Sequence, residues 1–362
     1  MNDSVVQISR APDHSVLVFI LAGGSGERFW PWSRTCLPKH LLRLFTDKTL
    51  LEETYELLSL SLPSAQIRIL TNHQQMESIR KHCPRLPPEC ILCEPAKRDT
   101  ASAAALATAI ALRDGGPERI VILTPADSLI HPQEKYAKDI QHLLKNASVY
   151  DGIHTIGIPP TYPCTNYGYL ELGRQLDENT FVIDKFIEKP DLKHAQLFCS
   201  SRRYLWNAGI FAWQAGTFLR ESQRQQPAIA SFIEHFPKDT AHQQEYLQRY
   251  FSQLPKISVD YAICENAASV FTIRASFAWD DLGTWDALSR HLGQDAFKNT
   301  VVGNCLLQET TNTIAASQGR LIATLGVDNL IIVEAADALL VARRDKIDEL
   351  KLLVSKIPPQ FK

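Results

Sequence analysis

Val16-Leu-Val-Phe-Ile-Leu-Ala-Gly-Gly-Ser-Gly-Glu-Arg28 is the stretch that decides the fold. Its opening residues, Val16 to Ile20, form a short β-branched-rich apolar run, the pattern of a strand buried on both faces. Gly23, Gly24 and Gly26 follow at the strand's carboxyl end. Without Cβ atoms in the way, backbone N–H groups there can approach a phosphate closely. Arg28 and Lys39 add two cations that can sit over the same phosphates. The stretch therefore reads as a polyphosphate cradle.

Spacing excludes the two commonest phosphate loops. A dinucleotide fingerprint needs a third glycine where this chain has Phe29, which also removes a dehydrogenase reading. A Walker A loop needs Lys and then Ser or Thr after the last glycine, and Gly26 is followed by Glu27 and Arg28.

Outward from the loop, strand-like runs at 16–21, 67–71, 90–93, 119–124 and 153–157 alternate with helical patterns near 49–60, 73–82, 100–113 and 133–147. Thr49 and Asp99-Thr100 are good N-caps for two of these helices. Such alternation predicts an α/β fold with a doubly wound, mostly parallel sheet and ligands at the carboxyl ends of its strands. Val121-Ile-Leu-Thr-Pro-Ala-Asp127 puts a carboxylate at one such end. From about 160 the pattern turns to strands at 168–173, 181–187 and 204–213 and then to helices, which reads as an insertion covering the sheet. Short β-rich segments between 300 and 342 and a final amphipathic helix near 345–356 predict a small coiled β module closing against the core. The expected division is a polar extension over 1–15, a main domain over 16–292 and the β-rich module over 293–362.

The 362 residues carry a formal charge of −2 with the signs interspersed, so there is no basic footprint for nucleic acid or an anionic membrane. Phosphate binding must then be local. No run approaches a membrane span, and an N-terminus with Asp3 and no basic, apolar segment carries no export signal, so cytoplasm and reduced thiols are expected. Cys90-Ile-Leu-Cys93 has no second pair and reads as core packing.

The run from Gly23 to Lys39, with Arg28, Pro31, Ser33, Pro38 and Lys39 at family spacing, resembles the signature of the sugar-nucleotide pyrophosphorylases. These nucleotidyltransferases, glycosyltransferase-A-like in fold, join a nucleoside triphosphate to a sugar 1-phosphate. Further motifs point within that family. Trp30-Pro-Trp-Ser-Arg34, Glu94-Pro with Arg98 and Thr100, Trp206-Asn-Ala-Gly209, Ser258-Val-Asp-Tyr261, Asp281-Leu-Gly-Thr-Trp285 and the tail Gly319 to Glu334 are together similar to the mannose-1-phosphate guanylyltransferases. The likeness runs from about Val16 to Ile357, and the β-rich module is β-helix-like on the same grounds.

The resemblance implies formation of GDP-mannose and pyrophosphate from GTP and α-D-mannose 1-phosphate. It assigns Leu21, Ala22, Gly23, Gly24, Gly26, Glu94, Arg98 and Thr100 to the nucleotide, with Glu94 accepting guanine N1–H and N2–H. Asp99 stands where relatives usually carry Asn, and an ordinary capped helix competes for each residue of this segment. Arg28 and Lys39 are assigned to catalysis at the leaving pyrophosphate. Gly168, Glu188, Lys189 and Asn207 are assigned to the sugar phosphate, while Asp260 is open between a sugar contact and packing. Nucleotidyl transfer needs a divalent cation, and Mg²⁺ prefers one or two carboxylates plus phosphate oxygens and water. Asp127 and Asp281 are the expected ligands, with Mn²⁺ as a substitute metal and Asp280 as a variable neighbour; the alternative is that Asp281 caps the following helix. A homodimer is allowed for. The rival readings are the same chemistry on another hexose 1-phosphate or nucleotide, and a non-catalytic homologue that binds sugar nucleotide.

Overall fold

The computed structural model describes residues 15–362. Apart from Ser15, the extension expected over 1–15 lies outside the described residues. The main body contains β1 (Val16–Leu21), α1 (Leu50–Ser59), β2 (Ile67–Asn72), α2 (His73–His82), β3 (Ile91–Glu94), α3 (Thr100–Gly115), β4 (Ile120–Pro125), β5 (Leu129–His131), α4 (Gln133–Val149) and β6 (Ile153–Ile158). It continues with β7 (Gly168–Gln175), β8 (Thr180–Glu188), α5 (Leu192–Ser200), β9 (Tyr204–Gln214), α6 (Ala215–Gln225), α7 (Pro227–Glu234), α8 (Thr240–Tyr250), α9 (Val259–Ala262), β10 (Val270–Arg274), β11 (Ala278–Asp280) and α10 (Ala287–His291).

A nine-stranded sheet, ordered β3-β2-β1-β4-β9-β6-β10-β8-β7, organises this body. β1 pairs in parallel with both β2 and β4, so the chain moves outward from β1 and then crosses back. Strand order therefore reverses between β1 and β4, and the crevice beyond their carboxyl ends is where open α/β sheets bind ligands. β8 and β9 run against the other strands. The segment after 160 does not cover the sheet as its sequence suggested. Strands β7, β8 and β9 join the sheet, and β9 is inserted between β4 and β6. Its apolar residues are as dense as those of a covering layer, so composition alone does not separate the two cases.

The alternation within β1 explains why it sits at the centre. Val16, Val18 and Ile20 pack into one core, with α1, α2 and α4, while Leu17 and Phe19 pack into the other. The second core is built on α3, whose alanines from Ala101 to Ala111 let α6, α7 and α9 approach closely. α1 begins with a complete capping box between Thr49 and Glu52, and Asp99 caps α3 by accepting from the Thr100 amide (2.8 Å).

The β-rich module comprises β12 (Thr300–Val302), β13 (Cys305–Gln308), β14 (Ile314–Ser317), β15 (Ile322–Leu325), β16 (Leu330–Ala335), β17 (Ala338–Arg343) and α11 (Leu350–Lys356). β12, β14 and β16 pair in parallel, as do β13 and β15, which makes a short β-coil closed by the antiparallel β17. At its corners Asn312 and Asn329, both at positive φ (47° and 58°), share a hydrogen bond of 3.0 Å. A third core joins the module to the main body. Phe29, Trp30 and Trp32 meet Trp285, Ile314, Ile331, Leu350 and Val354 there. All eight cysteines are free, and Cys90 is buried as core.

Candidate active site

The glycine loop leaves β1 pinned from below. Ala22 is buried, its amide donates to the Leu70 carbonyl (2.8 Å), and its carbonyl accepts from the Thr71 hydroxyl (2.8 Å). The Asn72 and Gln75 side chains, at the start of α2, donate to the carbonyls of Gly23 (3.3 Å) and Gly24 (3.2 Å). Gly26 is the residue that no other can replace. Its φ is 63°, and a Cβ there would lie 2.2 Å from Lys39 Cβ. Its carbonyl accepts from the Phe29 amide (2.9 Å) and the Ser33 hydroxyl (2.7 Å), which closes the 3₁₀ turn Glu27–Phe29. Below that turn the aromatic core is locked by the Trp285 indole N–H donating to the Trp30 carbonyl (3.0 Å). Arg28 is thereby held exposed at the rim of a cleft of about 410 Å³.

Three of the expected residues meet at the floor of this cleft. Lys39 is buried; its ammonium lies 2.9 Å from the Asp127 carboxylate and donates to the Asp281 carbonyl (2.5 Å). Asp127 follows the carboxyl end of β4, and its carboxylate is the more open of the two partners in that pair. The Asp281 carboxylate accepts from the Tyr167 hydroxyl (2.6 Å). Burial raises its pKa, while Lys39 and Tyr167 pull the other way. Among the described residues no group of three or more His, Cys, Asp or Glu is assembled to cage a metal. Two carboxylates lining one open cleft are the donor set that suits a hard cation completing its shell with phosphate oxygens and water.

Asp280, read from sequence as a variable neighbour, is buried, does not line the cleft and is structural. It accepts from Arg290 Nε (2.7 Å) and Nη2 (2.9 Å), from His291 Nε2 (2.8 Å) and from the Leu282 amide (2.8 Å). Leu282 itself sits at φ 48°, so this last bond holds the turn that presents Asp281. Trp285 and Leu288, just beyond, belong to the aromatic core.

The far wall of the cleft is the sugar side of the sequence reading. Gly168 lets Glu188 come close there: a Cβ would stand 2.6 Å from Glu188 Oε2 and push that carboxylate aside. Glu188 and Asn207 line the cleft. Lys189 does not; it sits at φ 47°, half-exposed, with its ammonium 2.8 Å from Glu188 Oε1. Asn207 donates to Asp260 Oδ1 (2.9 Å) and accepts from the Thr155 hydroxyl (2.9 Å) and the Gly209 amide (3.2 Å), leaving one amide hydrogen for a ligand. Asp260 lines the cleft, and burial, with the Glu188 charge added, pushes its carboxyl up to about 6.

A second hollow of about 250 Å³ lies on the other side of the loop. Leu21, Gly23, Gly24, Glu94, Arg98 and Thr100 all line it. Burial pushes the Glu94 carboxyl up to about 8. Arg98 Nε is buried with no hydrogen-bond partner among the described residues. Thr100 is already engaged, its hydroxyl accepting from the Val259 amide (2.8 Å), so it ties α3 to α9. The sequence reading thus divides between two adjoining hollows, with Ala22 beneath them and Lys189 beside them.

Tyr167, Trp279 and Lys351 also line the main cleft, and the sequence reading gave none of them a role of its own. Tyr167 had a signal, since it opens the sugar-side run Tyr167-Gly-Tyr169, but that run points to the glycine backbone and says nothing of a hydroxyl bonded to Asp281. No local pattern marks Lys351.

Comparison with known proteins bears on this geometry. A family model described as nucleotidyl transferase matches residues 17–296, and one described as a MannoseP isomerase/GMP-like β-helix domain matches 303–357. The xanthan biosynthesis protein XanB of Xanthomonas campestris pv. campestris (strain ATCC 33913) is 34% identical, over 94% of this chain and 73% of its own length. The mannose-1-phosphate guanylyltransferase of Escherichia coli is 31% identical, over 93% of this chain and 72% of its own. A crystal structure from Thermus thermophilus, named a mannose-1-phosphate geranyltransferase, matches with a TM-score of 0.86 at 32% identity, covering 94% of this chain and 99% of that one. No helix among the described residues is long and apolar enough to cross a membrane.

Proposed function

The chain belongs to the nucleotidyl transferase family, with relatives named mannose-1-phosphate guanylyltransferase, and from that premise we propose that it makes GDP-mannose and pyrophosphate from GTP and α-D-mannose 1-phosphate. The observation that carries the proposal is the convergence of Gly26, Arg28, Asp127 and Asp281 on one cleft at the point where strand order reverses.

A phosphate oxygen of the sugar phosphate forms a bond to the α-phosphorus of GTP while the bond to the pyrophosphate oxygen breaks. The nucleophile is already anionic, so no base or covalent intermediate is needed, and catalysis is positioning plus charge neutralisation. The Gly23–Gly26 backbone cradles the triphosphate. Arg28, fork-shaped and free of ion pairs among the described residues, draws charge from the leaving group. Asp127 and Asp281 are the residues that would hold Mg²⁺, or Mn²⁺ in its place, and a metal bound there supplies charge neutralisation between the nucleotide and sugar phosphates. Tyr167 and Lys39 keep the Asp281 segment oriented. Glu188 and Asn207 accept and donate to mannose hydroxyls, with Lys189 beside them for the sugar phosphate. Glu94 and Arg98 frame the guanine. A cytoplasmic location, where GTP is available, and a homodimer complete the reading.

The deciding experiment is a panel of nucleoside triphosphates against hexose 1-phosphates with Mg²⁺ and pyrophosphate detection. GTP with mannose 1-phosphate should give the highest kcat/KM. Preference for another pair would replace the substrates and keep the chemistry, and no turnover with any pair would leave a sugar-nucleotide-binding homologue.

A further inference from the structure

The cations meant for the pyrophosphate end are unequal. Lys39 is buried and already committed to Asp127 and the Asp281 carbonyl. Arg28 then stands alone against a polyanion, in a protein whose net charge of −2 offers no general attraction.

A further cation reaches the same cleft from the β-rich module. Helix α11 packs against the turn Glu27–Phe29. Lys351, Val354 and Ser355 are spaced i, i+3, i+4 and so share one helix face. Val354 is buried in the aromatic core beneath the signature loop, and Ser355 lines the seam beside Ser25 and Glu27. Lys351, one turn further along, lines the main cleft with Gly26 and Arg28. Its ammonium has no ion pair or hydrogen bond among the described residues. An unpaired lysine whose own helix is anchored under the phosphate loop is placed to meet the end of the nucleotide farthest from the sugar.

We propose that Lys351 binds the β- and γ-phosphates of GTP and the departing pyrophosphate, making the β-rich module part of the site. This inference rests on the reaction proposed above for its substrates, and its test is arranged to fail separately. In the reverse direction only pyrophosphate would meet Lys351. Lys351→Met should therefore raise KM for pyrophosphate about tenfold, within the range of a charge-assisted hydrogen bond at a partly exposed site, and leave KM for GDP-mannose and the Tm unchanged. Lys351→Arg should restore most of the affinity. Lys356→Met, with the same charge change on an exposed position away from the cleft, should behave as wild type. Calorimetric titration with pyrophosphate repeats the comparison without needing turnover. Equal pyrophosphate affinity in wild type and Lys351→Met overturns the inference, as does a common rise in both KM values with a lowered Tm. Loss of pyrophosphate affinity in Lys351→Met while wild type makes no GDP-mannose would retire the reaction and leave this binding site standing.

Discussion

Exchanging Asp280 and Asp281 one at a time for Asn should separate stability from turnover within a single turn. Asp280 is 9% exposed at its side chain and takes three hydrogen bonds from Arg290 and His291. Breaking a fully buried ion pair typically costs about 3–5 kcal/mol. Arg290 is 35% exposed here, so water rehydrates much of the stranded charge and the cost falls to about 1.5–3 kcal/mol. In a chain of this size that is a fall in Tm of roughly 3–6 °C. Asn at 280 can still accept from the Leu282 amide, so turnover per folded molecule should stay within about threefold of wild type. Asp281 behaves oppositely. Its carboxylate is destabilised by burial, so Asp281→Asn removes a buried charge and should leave Tm unchanged or higher. Turnover should fall by at least about a hundredfold, since one of the two carboxylates proposed to hold the metal is gone.

Acid titration adds a second readout with a definite sign. Burial would raise the Asp280 carboxyl, but hydrogen bonds from His291 and Arg290 outweigh it and hold the group well below the usual carboxylate range. A carboxylate depressed on folding contributes stability that is full above its unfolded pKa of about 4 and is lost as pH falls below that. Wild type should therefore lose more stability than Asp280→Asn between about pH 4 and pH 2. Differential scanning fluorimetry across pH, with pyrophosphate release at saturating substrate, tests all of this. If Asp280→Asn is dead at unchanged Tm while Asp281→Asn turns over, the two side chains have been given each other's roles.

Three further outcomes follow from the site. Gly26→Ala should cut turnover by at least about a hundredfold, because a Cβ 2.2 Å from Lys39 Cβ forces the loop and the lysine apart; circular dichroism and kcat on the same sample separate this from unfolding. Arg28→Ala should lose about a hundredfold in kcat at constant Tm, whereas Lys39→Ala should lose both, since only Lys39 is buried and paired. Because burial lifts the Glu94 carboxyl to about 8 and guanine N1–H and N2–H need an ionised acceptor, KM for GTP should fall as pH rises through 8, and a flat profile in wild type would remove Glu94 from base recognition.

What could be read in advance depended on how local the deciding physics is. β1 and its glycines were legible because a two-sided apolar run followed by residues without Cβ has few other uses, and Gly26 φ and Lys39 Cβ show why that glycine is needed. The run from Phe29 to Trp32 was legible as a motif but not as a mechanism. Phe29 also borders the cleft, but its ring and those of Trp30 and Trp32 belong to the core shared with Ile314, Leu350 and Val354, where they fix the loop from beneath. β9 shows the opposite limit. Its insertion between β4 and β6 depends on pairings such as Leu123 with Phe211 and Thr155 with Phe211, which an alternating apolar pattern does not encode. The same applies to the acidic pair. Asp280 and Asp281 have identical side chains on adjacent residues, and only Arg290 on the next helix and Tyr167 on the far wall decide which becomes scaffold and which faces the cleft. Lys351 is the extreme case: an exposed lysine in an amphipathic helix acquires a role only because the β-coil delivers that helix to the phosphate loop. A β-rich module that places both the aromatic footing and a cation at the loop links its folding to the phosphate end of the site. Destabilising the coil at Asn312 or Asn329 should then weaken pyrophosphate binding before it weakens binding of the sugar.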